Sequence, residues 1–161
     1  MLKLVQRALI ASFAFILSIS TALYAQQTRT IYSDTADAHH DIEQALVTAK
    51  HEHKRIILDF GGNWCGDCQV LDIYLHQQPN LDLLDSNFVL VHVNIGRYDR
   101  NTDVAEKYEV PLKRGVPGLA VLDAHGKLLY SQKNGEFESI RKMDPATVTE
   151  FLNQWKPKQK A

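Results

Sequence analysis

Short continuous apolar runs alternate along this chain with stretches in which apolar residues recur every third or fourth position. These are the patterns of buried strands and of amphipathic helices. The continuous runs are Arg55 to Gly61, Phe88 to Asn94 and Leu119 to Leu122. The first two are apolar at nearly every position, so both of their faces are expected to be covered, as in central strands. Lys127 to Gln132 follows the turn signal Asp123-Ala124-His125-Gly126 and reads as the edge strand of a hairpin, with Gly126 free to take positive φ. A further short strand is expected within Thr28 to Ser33, where Ile31 and Tyr32 stand among polar residues.

Helical spacing appears from Thr35 to His53, where Ile42, Ala45, Leu46 and Ala49 share a face and Ser33 or Asp34 offers the cap. It returns from Val70 to Leu75, breaks at Gln77-Gln78-Pro79, and resumes briefly from Asn80 to Ser86. Thr102 or Asp103 can cap a short helix carrying Val104, Ala105 and Tyr108. Asp144-Pro145 opens a last helix lined by Val148, Phe151, Leu152 and Trp155. Strands interleaved with helices and closed by a hairpin imply an α/β chain. Its central sheet is mixed, because the last pair is antiparallel, and is flanked by helices on both faces.

The first 25 residues have a different rhythm. Lys3 and Arg7 precede an apolar stretch from Ala8 to Ile19 that ends in small residues, the pattern of an export signal with cleavage after Ala22 or Ala25. The expected plan is a signal segment over 1–25 and one domain over 26–161, too short for two cores, placed in the periplasm or secreted. With 18 basic and 19 acidic residues the chain has no basic excess, so nucleic acid is not an expected partner. A monomer is expected.

Exported chains of this size often use disulfides as staples, yet the only cysteines here are Cys65 and Cys68. The pair is therefore read as the chemistry itself. It sits in Trp64-Cys65-Gly66-Asp67-Cys68, between a strand that ends in a glycine-bearing turn and the helix that begins near Val70. Cys65 then stands at a helix N-terminus, where backbone N–H groups and the helix dipole favour a thiolate, and Cys68, one turn on, can reach the same sulfur.

This arrangement resembles the active-site region of the thioredoxin superfamily, and the resemblance covers about residues 54 to 132. Asp59, six residues before Cys65, stands where thioredoxins carry a buried acid, and Gly115-Val116-Pro117 stands where they carry the cis-proline loop. The resemblance implies a thioredoxin-like fold and thiol–disulfide exchange with no cofactor beyond the redox-active Cys65–Cys68 disulfide. Cys65 is then the nucleophile, Cys68 the resolving thiol, and Asp59 either a proton acceptor for Cys68 or an acid satisfied by a nearby turn. Val116 at a cis Val116–Pro117 bond would offer its backbone to an extended substrate segment, with Trp64, Gly118 and the loop from Gly96 to Asn101 rimming the contact. Trp64 could equally pack over the turn. The resemblance also implies disulfide-bearing exported proteins as substrates and a membrane thiol transporter as electron donor.

Direction is read from the residues between the cysteines. Gly66 and Asp67 replace the Gly-Pro of cytosolic thioredoxins, offer no cation and place a carboxylate beside Cys65, which opposes its thiolate and implies a reducing couple. His92 invites two readings: a partner for Asp59, where thioredoxins often have a lysine, or a core histidine holding a backbone carbonyl. His39, His40, His51 and His53 lack ligand spacing and read as a solvated face, so no metal site is expected. Two rival functions remain on the same fold: a copper or zinc delivery protein using Cys65, Cys68 and His92, and a client-binding module without redox turnover.

Overall fold

A computed structural model describes residues 29–158. The expected signal segment lies outside the described residues.

The four strands are β1 (Arg55–Gly61), β2 (Phe88–Asn94), β3 (Gly118–Leu122) and β4 (Leu128–Ser131), in the order β2-β1-β3-β4. β1 pairs parallel to β2 and antiparallel to β3, and β3 pairs antiparallel to β4, so the sheet is mixed. The helices are α1 (Ala38–Glu52), α2 (Gly66–Leu75), α3 (Asn80–Asn87), α4 (Thr102–Lys107) and α5 (Ala146–Trp155). Single turns of 3₁₀ helix occupy Leu112–Arg114 and Ile140–Lys142.

Alternation along β1 divides the interior. Ile56, Leu58 and Phe60 face one side with Ile42, Ala45 and Ala49 of α1, while Ile57 faces the other with Leu71 and Leu75 of α2 and Phe151 and Leu152 of α5. This three-layer packing explains why β1 reads as apolar at each position from Ile56 to Leu58. The Arg55 guanidinium donates to the carbonyl of Trp155 at 2.8 Å, setting a cation on the C-terminal end of α5.

Three expectations from the sequence are corrected. Among the described residues β2 is an edge strand, not a central one: its faces are covered by α1 and α3, so it reads as apolar on both sides, yet β1 is the one strand there that bonds to its backbone. The expected strand at Thr28 to Ser33 does not join the sheet over its described residues. Its backbone is held by a side chain, with the N–H groups of Ile31 and Tyr32 donating to Asn63 Oδ1 and Asn63 Nδ2 donating back to the Tyr32 carbonyl. The cap of α1 is Asp37, whose carboxylate accepts from the N–H groups of His39 and His40. The hairpin turn forms as read, with Gly126 at φ 84° and Asp123 Oδ1 accepting from the N–H groups of His125 and Lys127.

Leu152 is fully buried where α5 closes the second core. Leu152→Ala is expected to lower stability by about 2–5 kcal/mol, read in urea as a lower midpoint at an unchanged slope.

Candidate functional site

β1 ends at Gly61, and the turn that follows delivers Cys65 as the N-cap of α2, in extended conformation with the helix beginning at Gly66. The cap is made by sulfur: the backbone N–H of Cys68 donates to Cys65 Sγ at 3.0 Å. Cys65 and Cys68 are joined by a disulfide across a Cα–Cα distance of 5.2 Å. Cys65 keeps 5% of its surface in contact with solvent and Cys68 none, so only the first sulfur can be approached from outside. The Val116–Pro117 peptide is cis, and the Val116 carbonyl oxygen lies 3.5 Å from Cys65 Sγ. Val116 and Pro117 themselves are buried at the head of β3.

Asp59 is fully buried on the central strand. Parallel register sets it opposite His92, which puts both side chains on one face of the sheet. His92 Nδ1 lies 2.9 Å from Asp59 Oδ2, and the same oxygen accepts the Tyr32 hydroxyl at 2.7 Å. Asp59 Oδ1 has no hydrogen-bond partner among the described residues. Burial works against a charged His92, but the hydrogen bond and the charge of Asp59 outweigh it, and its pKa stands above the ordinary 6.5. Burial, then the Asp59 charge, drives the Tyr32 hydroxyl well above its ordinary range.

Tyr32 is the member of this cluster that sequence reasoning missed. It lies 27 positions from Asp59, in a segment with no periodicity, held there by the Asn63 clamp and by bonds from Asn94 to Ser33 and Asp34. Gly61 makes room for it. A Cβ at Gly61 would collide with the Tyr32 hydroxyl and stand 2.8 Å from Cys68 Sγ, so the phenol and the inner sulfur border the same small gap.

Outside the cysteines the fold supplies what the motif lacks. Arg141, on the 3₁₀ turn after β4, pairs through Nη2 with Asp67 Oδ2 at 3.0 Å, and its backbone N–H donates to Asp67 Oδ1 at 3.1 Å. The guanidinium lies along Gly66, where a Cβ would be 3.2 Å from Nη1. The residues between the cysteines offer no cation, as read from the motif, and the fold adds one from outside it, on Asp67 and along Gly66. Nothing in the motif could announce Arg141, which comes from 74 positions away.

Trp64 is exposed, donates through Nε1 to the Gly96 carbonyl at 2.6 Å, and carries the Arg97 guanidinium 5.0 Å over its ring and Tyr98 beside it. It forms part of an aromatic rim continuous with the Gly96–Asn101 loop. Gly118 does not reach this rim. It is buried in β3 opposite Phe60, with Val110 so close that a Cβ would stand 2.7 Å from it. From Tyr98 a groove of about 840 Å³ runs past Val110 and Leu112 to Gly115, next to Val116. His39, His40, His51 and His53 are exposed, and no group of three or more His, Cys, Asp or Glu side chains is placed to hold a metal among the described residues.

The arrangement of strand, cysteine-capped helix and cis-proline loop agrees with comparisons to known proteins. A family model described as Thioredoxin-like matches residues 37–124. The crystal structure of a disulphide isomerase from Xylella fastidiosa Temecula1 superposes with a TM-score of 0.75 at 35% identity, covering 78% of this chain and 96% of that one. The C-terminal domain of Neisseria meningitidis DsbD in reduced form, 21% identical with a TM-score of 0.51 over 72% of this chain and 95% of that one, shares the fold. In sequence, the thiol:disulfide interchange protein DsbD of Photorhabdus laumondii is 26% identical over 103 residues, 63% of this chain. The chain spans only 17% of that protein's length. With the matched stretch covering more than half of its residues, the chain belongs to the thioredoxin-like family.

Proposed function

We propose that this chain is an exported thiol–disulfide oxidoreductase that works from its reduced form on disulfides of exported proteins. The observation that carries the reading is the Cys65–Cys68 disulfide at the start of α2, with Cys65 keeping 5% exposure beside the Val116 carbonyl and Cys68 fully enclosed behind it. A Cys65 thiolate would receive the Cys68 N–H and the positive end of α2, both of which favour the ionised sulfur.

The exchange then runs in two steps. The Cys65 thiolate attacks one sulfur of a substrate disulfide, and the other leaves as a thiolate. Cys68 loses its proton and attacks Cys65, which closes the Cys65–Cys68 bond and releases the first substrate sulfur, so that the substrate gains the two electrons that the enzyme loses. An extended segment of substrate would lie against the cis loop, bonding to the Val116 backbone with its neighbours along Trp64 and the groove toward Tyr98.

Direction depends on two opposed charges on the Gly66-Asp67 turn, Asp67 and the Arg141 paired with it. Asp67 has 14% of its side chain exposed and Arg141 has 61%, so solvent and salt screen the cation more than the carboxylate. The couple is therefore reducing, but less so than Gly66-Asp67 alone would make it. Such a protein needs electrons in an oxidising compartment. Partial similarity to a thiol:disulfide interchange protein supports a thiol-redox partner, which in this reading is a membrane thiol transporter acting as donor, and the export-signal pattern over 1–25 supports the periplasm as the place. A second reading is isomerase action, favoured by the Xylella fastidiosa relative's description as a disulphide isomerase. It needs the same attack by Cys65 but ends before Cys68 intervenes. Metal delivery would need His92 as a third ligand beside the two cysteines, and no such group of three is placed to hold an ion among the described residues.

Cys65→Ser is expected to abolish reduction of insulin disulfides, and Cys68→Ala to accumulate a mixed disulfide detectable by mass. Full activity in Cys65→Ser would refute the assignment. Against glutathione, Arg141→Gln should make the couple more reducing by about 15–30 mV, roughly 3–10-fold in the equilibrium constant, and Asp67→Asn should move it the other way. His92 adds a pH dependence. Because its folded pKa is raised, its pairing with Asp59 stabilises fully below pH 6.5 and is lost as pH rises through the higher folded value. The stability gap between wild type and His92→Gln in urea should therefore be wider at acid pH than in alkali.

A further inference from the structure

We propose that Tyr32 is a catalytic residue of the resolving step, its hydroxyl carrying the proton of Cys68 to Asp59. The inference rests on the oxidoreductase reading and concerns a residue outside the stretch 37–124 that the family model matches.

The phenol is built into the site. Tyr32 is fully buried, its backbone is bonded in both directions by Asn63, and its hydroxyl donates to Asp59 Oδ2 at 2.7 Å. Phenylalanine would fill nearly the same volume, so what the hydroxyl adds is its bond to the buried Asp59 carboxyl and a proton that can move along it. Cys68 Sγ borders the same gap over Gly61, and only the absence of a Cβ at that position lets sulfur and phenol share it. The charged and titratable groups around the phenol are Asp59 on β1, His92 on β2 with its ring 5.4 Å away, and Cys68 and Asp72 on α2. Asp72 is paired with Arg29 at 3.0 Å and with His76 at 3.1 Å. Asp59, whose Oδ2 holds Tyr32, is thus the acceptor in line with Cys68.

A phenol held this far above its ordinary pKa does not accumulate as an anion. It passes a proton on instead. As Cys68 attacks, its S–H proton moves to the Tyr32 oxygen while the phenolic proton moves to Asp59. The Cys68 sulfur bonds to Cys65, the bond between Cys65 and the substrate sulfur breaks, and the substrate leaves as a thiolate. The proton gained by Asp59 then passes to solvent beside His92, which has 24% of its side chain exposed and opens the cluster to water.

The test is a single-turnover measurement on protein carrying glutathione on Cys65, with release of glutathione followed from pH 5.5 to 9 and attack of reduced Cys65 on oxidised glutathione measured alongside. In Tyr32→Phe, release is expected to slow about tenfold relative to attack, with its pH profile displaced to higher pH. Asp59→Asn should show the same displacement, and the double variant should be no slower than the slower single one. A Tyr32→Phe protein with the wild-type ratio and the wild-type profile would overturn the role of Tyr32. Additive losses in the double variant would also overturn it, and if Tyr32→Phe does not fold, an unshifted profile in Asp59→Asn does so. Wild-type protein that releases no glutathione would instead overturn the oxidoreductase reading.

Discussion

A carboxyl group lies on the central strand, beneath the active-site helix and without access to water. Burying such a group unpaired is costly, and the surrounding structure meets that demand from two directions. β2 brings His92 across the parallel ladder, and the segment before α1 brings Tyr32 down onto the same oxygen. The features that look separate in the chain follow from this need. Asn63 holds the segment that carries Tyr32, Gly61 leaves room for its hydroxyl, and the inner cysteine shares the remaining space.

The two sulfurs differ because the helix start treats them differently. Cys65 caps α2 and faces the Val116 carbonyl at the rim, while Cys68 lies one turn inside, where no solvent reaches it. Helix dipole and backbone N–H act on the outer sulfur, and the buried Asp59 cluster lies on the side of the inner one. Geometry thus separates attack from resolution before any charge is considered. Charge then adjusts the balance through Asp67 and Arg141, a pair on the shoulder of the site rather than in it.

Much of this could be read along the chain wherever the information was local. β1 and β2 have the bounds expected from their apolar runs, because layered packing leaves a periodic record. Cys65 and Cys68 lie within one helical turn, Val116–Pro117 lies in the loop expected for it, and the turn at Gly126 carries its own chemistry. Where the reading erred, the missing quantity was a direction or a partner. β2 looked central because helices cover both of its faces, while the bonding that makes it an edge runs in the plane of the sheet, where hydropathy carries no signal. The stretch from Thr28 to Ser33 looked like a strand because backbone groups satisfied by Asn63 leave the same composition as ones satisfied by a neighbouring strand.

By itself, then, the order of residues determined the layered α/β plan, the cysteine pair at a helix start, the acid six positions before it and the proline loop after it. Each of these depends on neighbours a few positions apart or on a regular period. Folding alone decided which groups surround the sulfurs: Tyr32 on Asp59 from 27 positions away, His92 from 33 and Arg141 on Asp67 from 74. Such contacts form where chain segments cross. The position of a crossing is set by the packing of whole elements, which no short window of sequence contains.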